Sequence, residues 1–357
     1  MFITECWYAA GFPDEFGRSL VGRTFLREPV VLFRTEMGEL VALEDRCSHR
    51  RLPLSAGRLK GDTVECAYHG LVYDCSGACI KVPGQDDVPR TARLKRYPVA
   101  DMHGYSWIWM GDQARADTRT IPDYNRLSLP GLGRHRIALH VEANYQLIVD
   151  NLLDLSHLPY VHGTTTGNPP VSERASVKTE RHGNTVQVKR WAENVEPAPT
   201  FVQFGGYQGK VDIWQVSQFQ PPCYIRVSYG SGPAGTGIPE GDEIWEPGHW
   251  GFQVFHGITP ETSTASHQFR YILHEKGGAD AASIAEFYRQ NDQIINEDRI
   301  IFAIQQKALS TTGDGASAVD VKTSAIIKAD GGLIQARAII SSMLQSDCAS
   351  APTRLRA

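Results

Sequence analysis

Cys47-Ser48-His49 is followed, after sixteen residues, by Cys66-Ala67-Tyr68-His69, so two thiols and two imidazoles recur in a C-x-H…C-x-x-H pattern. Two thiolates and two neutral histidines can hold a [2Fe–2S] cluster with one iron on each ligand type, and the histidines raise its reduction potential. Such a cluster passes single electrons. A structural zinc site accepts the same four residues, so donor types alone leave both metals open. Of the seven cysteines, Cys47, Cys66, Cys75 and Cys79 crowd into one stretch, while Cys6, Cys223 and Cys348 stand apart. In a reducing compartment this odd, clustered set favours a metal site over a disulfide framework. Cys75 and Cys79 flank the turn Ser76-Gly77-Ala78 and read as half-buried hairpin residues rather than ligands.

A second set lies further along. Between Asn144 and His162 the apolar period is helical, and Asp150 or Asn151, Asp154 and His157 fall three or four residues apart, on one face. The stretch is otherwise rich in leucine, isoleucine and valine, which implies burial. A buried carboxylate needs a partner or a metal, because desolvating a lone charge is costly. Pro159 is expected to end the helix, leaving His162 free to turn back toward His157. Two histidines lack one carboxylate for the two-histidine, one-carboxylate triad of oxygen-activating iron(II). The helical segment from about Ala281 to Leu309 offers it: Ile284, Phe287, Ile294, Ile295, Ile301 and Phe302 form an i, i+3/i+4, i+7 stripe containing Asp298, with Glu297 pointing off it. Taken alone, Asp298 reads as a structural carboxylate paired with an arginine such as Arg299.

These residues need a scaffold. Residues 1–115 show short strand patterns, among them Pro29 to Phe33, Leu40 to Leu43, Leu71 to Tyr73 and Ser106 to Met110, separated by turn residues. They predict a small antiparallel β domain. The polar run Gly111 to Asp117 interrupts the periodicity, which predicts a boundary there and a second domain over 116–357. Strand patterns from about 175 to 274 lie between the two helical stretches, so the second domain is expected to be α+β. Tyr224 to Tyr229 and Ser266 to Leu273 alternate with polar members, as in a sheet with one face lining a cavity. No helical pattern follows Gly232 to Gly237, which therefore reads as an ordinary loop and not a phosphate-binding turn.

With 357 residues, 41% of them hydrophobic, the chain can bury two cores of ordinary size. A net charge of −4 with mixed signs lends no support to a nucleic-acid or anionic-membrane partner, so a small molecule is the expected one. The start MFITECWYAA lacks a signal-peptide pattern and no long apolar run follows, so a cytoplasmic protein is expected.

Pro53 and the Gly57 turn follow the first ligand pair, and His69-Gly70-Leu71 follows the second, which predicts each pair on a β-hairpin tip. Here the sequence resembles the Rieske domain of bacterial aromatic-ring and demethylating oxygenases. The pattern D-N-x-x-D-x-x-H-x4-H with the later Glu297-Asp298 resembles their catalytic domain, so the likeness covers nearly the whole chain. Respiratory-chain Rieske proteins carry a further cysteine in each ligand loop, where this chain has Arg50-Arg51. The resemblance implies an N-terminal all-β Rieske domain followed by an α+β catalytic domain with a helix-grip-like antiparallel sheet. It implies Cys47, His49, Cys66 and His69 as cluster ligands, and His157, His162 and Asp298 as ligands of one mononuclear iron(II) per subunit. Asn151 and Asp154 become catalytic candidates. Electrons would come from NADH through a separate flavin and iron–sulfur reductase. In a homotrimer Asp154 would link a neighbour's His69 to His157, fixing the tautomer of the latter.

Cys6-Trp7-Tyr8-Ala9-Ala10, Pro83-Gly84-Gln85, Trp109-Met110-Gly111-Asp112 and Thr259-Pro260-Glu261-Thr262 resemble the vanillate O-demethylase and toluenesulfonate methyl-monooxygenase subgroup. Its members use dioxygen to demethylate methoxy-aromatic acids or hydroxylate an aryl methyl group. An aromatic anion needs a cation or donor, and His256, Arg270 and Arg289 are the candidates. A ring cis-dihydroxylating dioxygenase shares every iron ligand and is the nearest rival. A non-catalytic electron carrier is a more distant one, since it needs no open iron.

Overall fold

The computed structural model describes residues 1–239, 248–275, 280–311 and 324–350. It divides into two compact units, and the first comprises Phe2–Asp123 with Thr259–Thr262. Its strands are β1 (Trp7–Gly11), β2 (Val21–Phe25), β3 (Glu28–Arg34), β4 (Leu40–Glu44), β5 (Arg58–Lys60), β6 (Thr63–Glu65), β7 (Val72–Tyr73), β8 (Cys79–Lys81), β9 (Arg96–Tyr97), β10 (Val99–Met102) and β11 (Tyr105–Trp109). They pair antiparallel in three sheets, β1-β11-β10, β2-β3-β4-β9 and β5-β6-β7-β8. Val31, Phe33, Val41 and Leu43 share one core with Cys47, Val64, Cys66 and Tyr73, so the cysteine-bearing loops are rooted in packed side chains.

The second ligand pair sits on the tip of the β6–β7 hairpin, as expected. The first does not. Because β4 already pairs with β3 and β9 while β5 pairs with β6, Cys47 to His49 lie on the connection between two sheets. The first unit also runs a little past the polar stretch at Gly111 to Asp117. Trp7 Nε1 donates to the Asp117 carbonyl and Trp109 Nε1 to that of Asp112, both at 2.9 Å, which ties these turns to β1 and β11.

The second unit, from Tyr124 to Ile258 and from Ser263 on, is α+β. Its elements are β12 (Leu132–Val141), α1 (Tyr145–Leu153), α2 (Leu158–Val161), α3 (Pro169–Arg174), β13 (Ser176–His182), β14 (Thr185–Val195), α4 (Pro199–Gly205), β15 (Val211–Gln220), β16 (Tyr224–Pro233), β17 (Trp250–Pro260), β18 (Ser266–Glu275), α5 (Ala281–Thr311) and α6 (Gly331–Ser350). One seven-stranded antiparallel sheet runs β12-β18-β17-β16-β15-β14-β13. Helix α5 buries Phe287, Asn291, Ile295, Asp298 and Phe302, while Ile301 of the expected stripe is 42% exposed. The Gly232–Gly237 loop is closed by Asp212, whose carboxylate accepts the amides of Gly235 and Gly237 at 2.9 Å. Among the described residues no helix is long and apolar enough to cross a membrane.

The expected single helix from Asn144 to His162 is broken. Asn144 caps α1 by accepting the Gln146 amide at 2.9 Å, and the helix stops at Leu153. Asp154 then turns extended and its carboxylate caps a 3-10 turn, Leu155–His157. Pro159 starts the short α2 instead of ending a helix, since a first turn has no need of the missing N–H.

Candidate metal centres

The two cysteine-histidine loops have the same backbone plan. Cys47 N–H donates to Leu52 O and Arg51 N–H to Cys47 O, both at 2.9 Å. Cys66 N–H likewise donates to Leu71 O at 2.8 Å, and Gly70 N–H to Cys66 O at 3.0 Å. Arg51 and Gly70 close these turns with φ of 61° and 72°. At Gly70 the left-handed backbone favours glycine, and an added Cβ would sit 3.1 Å from Pro83. Cys47 and Cys66 are each 2% exposed, whereas His49 and His69 are exposed with ring centroids 4.5 Å apart. Buried thiols below two adjacent surface imidazoles are the donor set a mixed-ligand [2Fe–2S] cluster takes. Desolvation, then the neighbouring His49 and Arg50, hold the His69 imidazole below its usual pKa; burial, with Cys47 beside it, pushes the Cys66 thiol up. Tyr73 reaches into the first loop, its hydroxyl 3.2 Å from Cys47 Sγ.

In the second unit the break after Leu153 aims the other donors. His157 Nδ1 donates to the Asp154 carbonyl at 2.7 Å, and His162 Nδ1 meets a Glu297 carboxylate oxygen at 2.7 Å. With both Nδ1 atoms engaged, each histidine turns Nε2 to the centre. His162 Nε2 lies 3.1 Å and His157 Nε2 3.7 Å from Asp298 Oδ1, and all three donor atoms fall within 4.8 Å of one another. Asn151 Nδ2 is 3.4 Å from both His157 Nε2 and Asp298 Oδ1, and its own Oδ1 is buried without a partner. Two imidazole nitrogens and one carboxylate oxygen converging within 4.8 Å are the donor set of a divalent metal site, so the group fits one. Burial lowers the His157 pKa. For His162 burial acts the same way, but hydrogen bonds and charge from Asp298 and then Glu297 prevail, and its pKa is raised.

Residues 6–98 match the Rieske [2Fe-2S] domain model, and residues 141–346 match the vanillate O-demethylase oxygenase C-terminal domain model. The chain belongs to the vanillate O-demethylase family of Rieske oxygenases. The toluene-4-sulfonate monooxygenase system iron-sulfur subunit of Comamonas testosteroni is 38% identical, over 97% of this chain and 98% of its own length. The vanillate O-demethylase oxygenase subunit of a Pseudomonas species is 30% identical, over 99% and 98% respectively. Dicamba monooxygenase bound to 3,6 dichlorosalicylic acid superposes with a TM-score of 0.86 at 26% identity, covering 98% of this chain and 99% of that one. These relatives are oxygenase components of Rieske monooxygenase systems, and such multicomponent systems imply a reductase partner.

In this Rieske oxygenase two details depart from the sequence expectations, and a third decides between two residues that the sequence left open. Asp154 holds His157 through its backbone carbonyl, while its carboxylate accepts the Ser156 amide at 2.9 Å. Glu297, expected to point away, is the partner of His162 and is held by Gln293 Nε2 at 2.8 Å. Asn151, not Asp150, joins the site, because the Asp150 carboxylate pairs with Arg337 of α6. Adjacent residues on a helix are about 100° apart, so Glu297 and Asp298 can flank one imidazole from its two nitrogens. Only the Glu297-Asp298 doublet hinted at this.

The inward face of the sheet carries the remaining candidates. His256 is 2% exposed, and its Nδ1 lies 3.1 Å from Gln268 Nε2, which donates to it. Burial, then the charge of Arg270, pushes the His256 pKa well down, so this imidazole is neutral with Nε2–H as its donor. Arg270, 4% exposed, donates to the Asn291 carbonyl at 3.0 Å and to its side-chain oxygen at 3.2 Å. Arg289 is a correction: it lies on the exposed side of α5 and pairs with Glu286 at 2.7 Å, because it falls outside the buried stripe. Phe287 packs edge-on against Phe252 at 5.4 Å, and Phe252 stacks on Tyr229 at 4.7 Å. Tyr229 stays protonated, since burial and then the Asp298 charge raise its pKa. Tyr229 and Gln268 lie in the two alternating stretches but were not singled out there, and Phe252 carried no signal in the sequence.

Proposed function

We propose that the chain is the terminal oxygenase of a multicomponent monooxygenase that hydroxylates the methyl or methoxy carbon of an aromatic acid, with dioxygen and NADH-derived electrons from a separate flavin and iron–sulfur reductase. The observation that carries this reading is the His157, His162 and Asp298 group, in which two Nε2 atoms and one carboxylate converge with both Nδ1 atoms already engaged. An electron carrier has no use for it. In this reading Cys47, His49, Cys66 and His69 hold the cluster, and the triad holds one iron(II), which supplies oxygen activation when bound.

The chain's own residues set the stage. Glu297 and the Asp154 carbonyl keep a proton on each Nδ1 and so leave each Nε2 to ligate. Asn151 steadies Asp298 through its amide. Neutral His256 donates its Nε2–H to the substrate's acid group and Arg270 supplies the charge, with Tyr229, Phe252 and Phe287 flanking a flat ring. Vanillate and toluene-4-sulfonate in the relatives' names are anions of this class. A homotrimer brings the cluster of one subunit to the iron of the next, with Asp154 at the junction.

The test is turnover of methoxy- and methyl-substituted aromatic acids with reductase, NADH and isotopically labelled dioxygen. One labelled atom should enter the side group: a methoxy carbon gives formaldehyde and a phenol in equal amounts, an aryl methyl gives the benzylic alcohol. Two labelled atoms in a ring cis-diol would replace this reading by the dioxygenase. No coupled NADH use with any aromatic acid would overturn it.

A further inference from the structure

Gln268 is 1% exposed, and the two ends of its amide meet different surroundings. Nε2 donates to His256 Nδ1 at 3.1 Å, whereas Oε1 is buried and has no hydrogen-bond partner. Opposite it on β12 stands Leu139, whose side chain offers that oxygen no donor. Gln268 and Arg270 are two residues apart on β18 and so leave the same face of the sheet. That face lies under α5, because Arg270 donates to the carbonyl and the side-chain oxygen of Asn291 there. Tyr229 links it to the triad, since its phenol is close enough to Asp298 and to Arg270 for both charges to act on it. Buried amide oxygens are otherwise almost always paired, and an acceptor left unmet beside a binding surface calls for a donor from the ligand.

We propose, resting on the reading that places the substrate's acid group at His256 and Arg270, that Gln268 Oε1 is a specificity-determining acceptor: the preferred aromatic acid also carries a hydroxyl or amino group, which donates to this oxygen. Nε2 and Oε1 belong to one planar amide, so the acceptor lies next to His256, and the donor it takes is ortho or meta to the acid group. An acid without that donor leaves the oxygen unmet when it displaces water from the site. A pocket that hydrogen-bonds a substrate hydroxyl or amine discriminates against the analogue lacking it for this reason.

The test is calorimetric titration of the full chain, loaded with both metals and without reductase so that nothing turns over, with para-toluate and with its derivatives carrying an amino group ortho or meta to the carboxylate. One of the amino derivatives should bind at least tenfold more tightly than para-toluate. Gln268→Met keeps the length of the side chain and removes the acceptor, and should bring the ratio of the two affinities close to one. That ratio cancels any change common to both ligands, the lost bond to His256 included. The parent ratio is read without a variant and decides the question even where Gln268→Met fails to fold. Para-toluate binding as tightly as both amino derivatives, or a preference that survives in Gln268→Met, overturns the proposal and leaves the reaction class standing. Binding of none of the three acids overturns both.

Discussion

Replacing Tyr73 by phenylalanine probes the surroundings of the cluster through a single proton. The Tyr73 hydroxyl lies 3.2 Å from Cys47 Sγ, 2.8 Å from Ser48 Oγ and 3.1 Å from the Ser48 amide nitrogen. The amide can only donate to it and the Ser48 hydroxyl can do the same, which leaves the phenolic proton for the sulfur. Burial, then Cys47, raises the phenol pKa, so the proton is present at any working pH. A hydrogen bond to a charged acceptor contributes roughly 1.5–3 kcal/mol net. With Cys47 as a cluster ligand, as proposed above, only part of the added electron would reside on that sulfur; taking about half gives roughly 0.8–1.5 kcal/mol of preference for the reduced form. At 59 mV and 1.36 kcal/mol per factor of ten for one electron, that is about 35–65 mV. Tyr73→Phe should therefore lower the cluster's reduction potential by about that amount, because the more negative reduced form loses a donor. A redox titration followed by visible absorbance, at matched iron and sulfide content, reads it directly. An upward shift, or one below about 10 mV, in a fully loaded variant would refute the reasoning.

The remaining predictions concern the second unit. Glu297→Ala frees His162 Nδ1 and should weaken iron binding about 10–100-fold in a chelator competition, with the cluster untouched; unchanged affinity would remove Glu297 from the site. Asp154→Asn keeps the carbonyl bond to His157, so its iron content should stay near the parent's while turnover falls at least tenfold, and iron loss would show that the carboxylate matters to the metal. Arg337→Ala leaves Asp150 buried without its partner and should cost about 3–5 kcal/mol in denaturant unfolding of the second unit. Burial, opposed by Arg337, already raises the Asp150 pKa, and losing Arg337 raises it further. A folded pKa above the unfolded one favours the folded state at low pH, so the deficit should shrink as pH falls through that folded value and grow as it rises. Arg270→Gln should raise the apparent KM for an aromatic acid at least tenfold while Arg289→Gln leaves it unchanged; equal effects would dissolve the distinction between the buried and the exposed arginine.

Much of the site could be read in advance because its signals are local. The C-x-H and C-x-x-H pairs close tight turns that differ by one residue in where the histidine falls, and chain proximity alone keeps thiol and imidazole together. The stripe on α5 likewise placed Asp298 on a buried face, since a 3.6-residue period survives in any packing arrangement. Periodicity misled over Asn144 to His162, where helix-forming leucines continue on both sides of Asp154. A capping carboxylate there competes with the next helical turn and wins, and no count of apolar residues reveals the winner.

Donor types, their spacing, the two-domain order and the alternating strands of the large sheet were thus determined by the sequence alone, because each depends on residues a few positions apart. Which carboxylate engages His162, which of Asp150 and Asn151 reaches the triad's side chains, and which arginine faces inward were decided only by the tertiary structure. Glu297 is 135 residues from His162 and Arg337 is 187 from Asp150. A pattern along one element says which face is buried, but the partner across that face is chosen by the packing of helices and strands far apart in the chain.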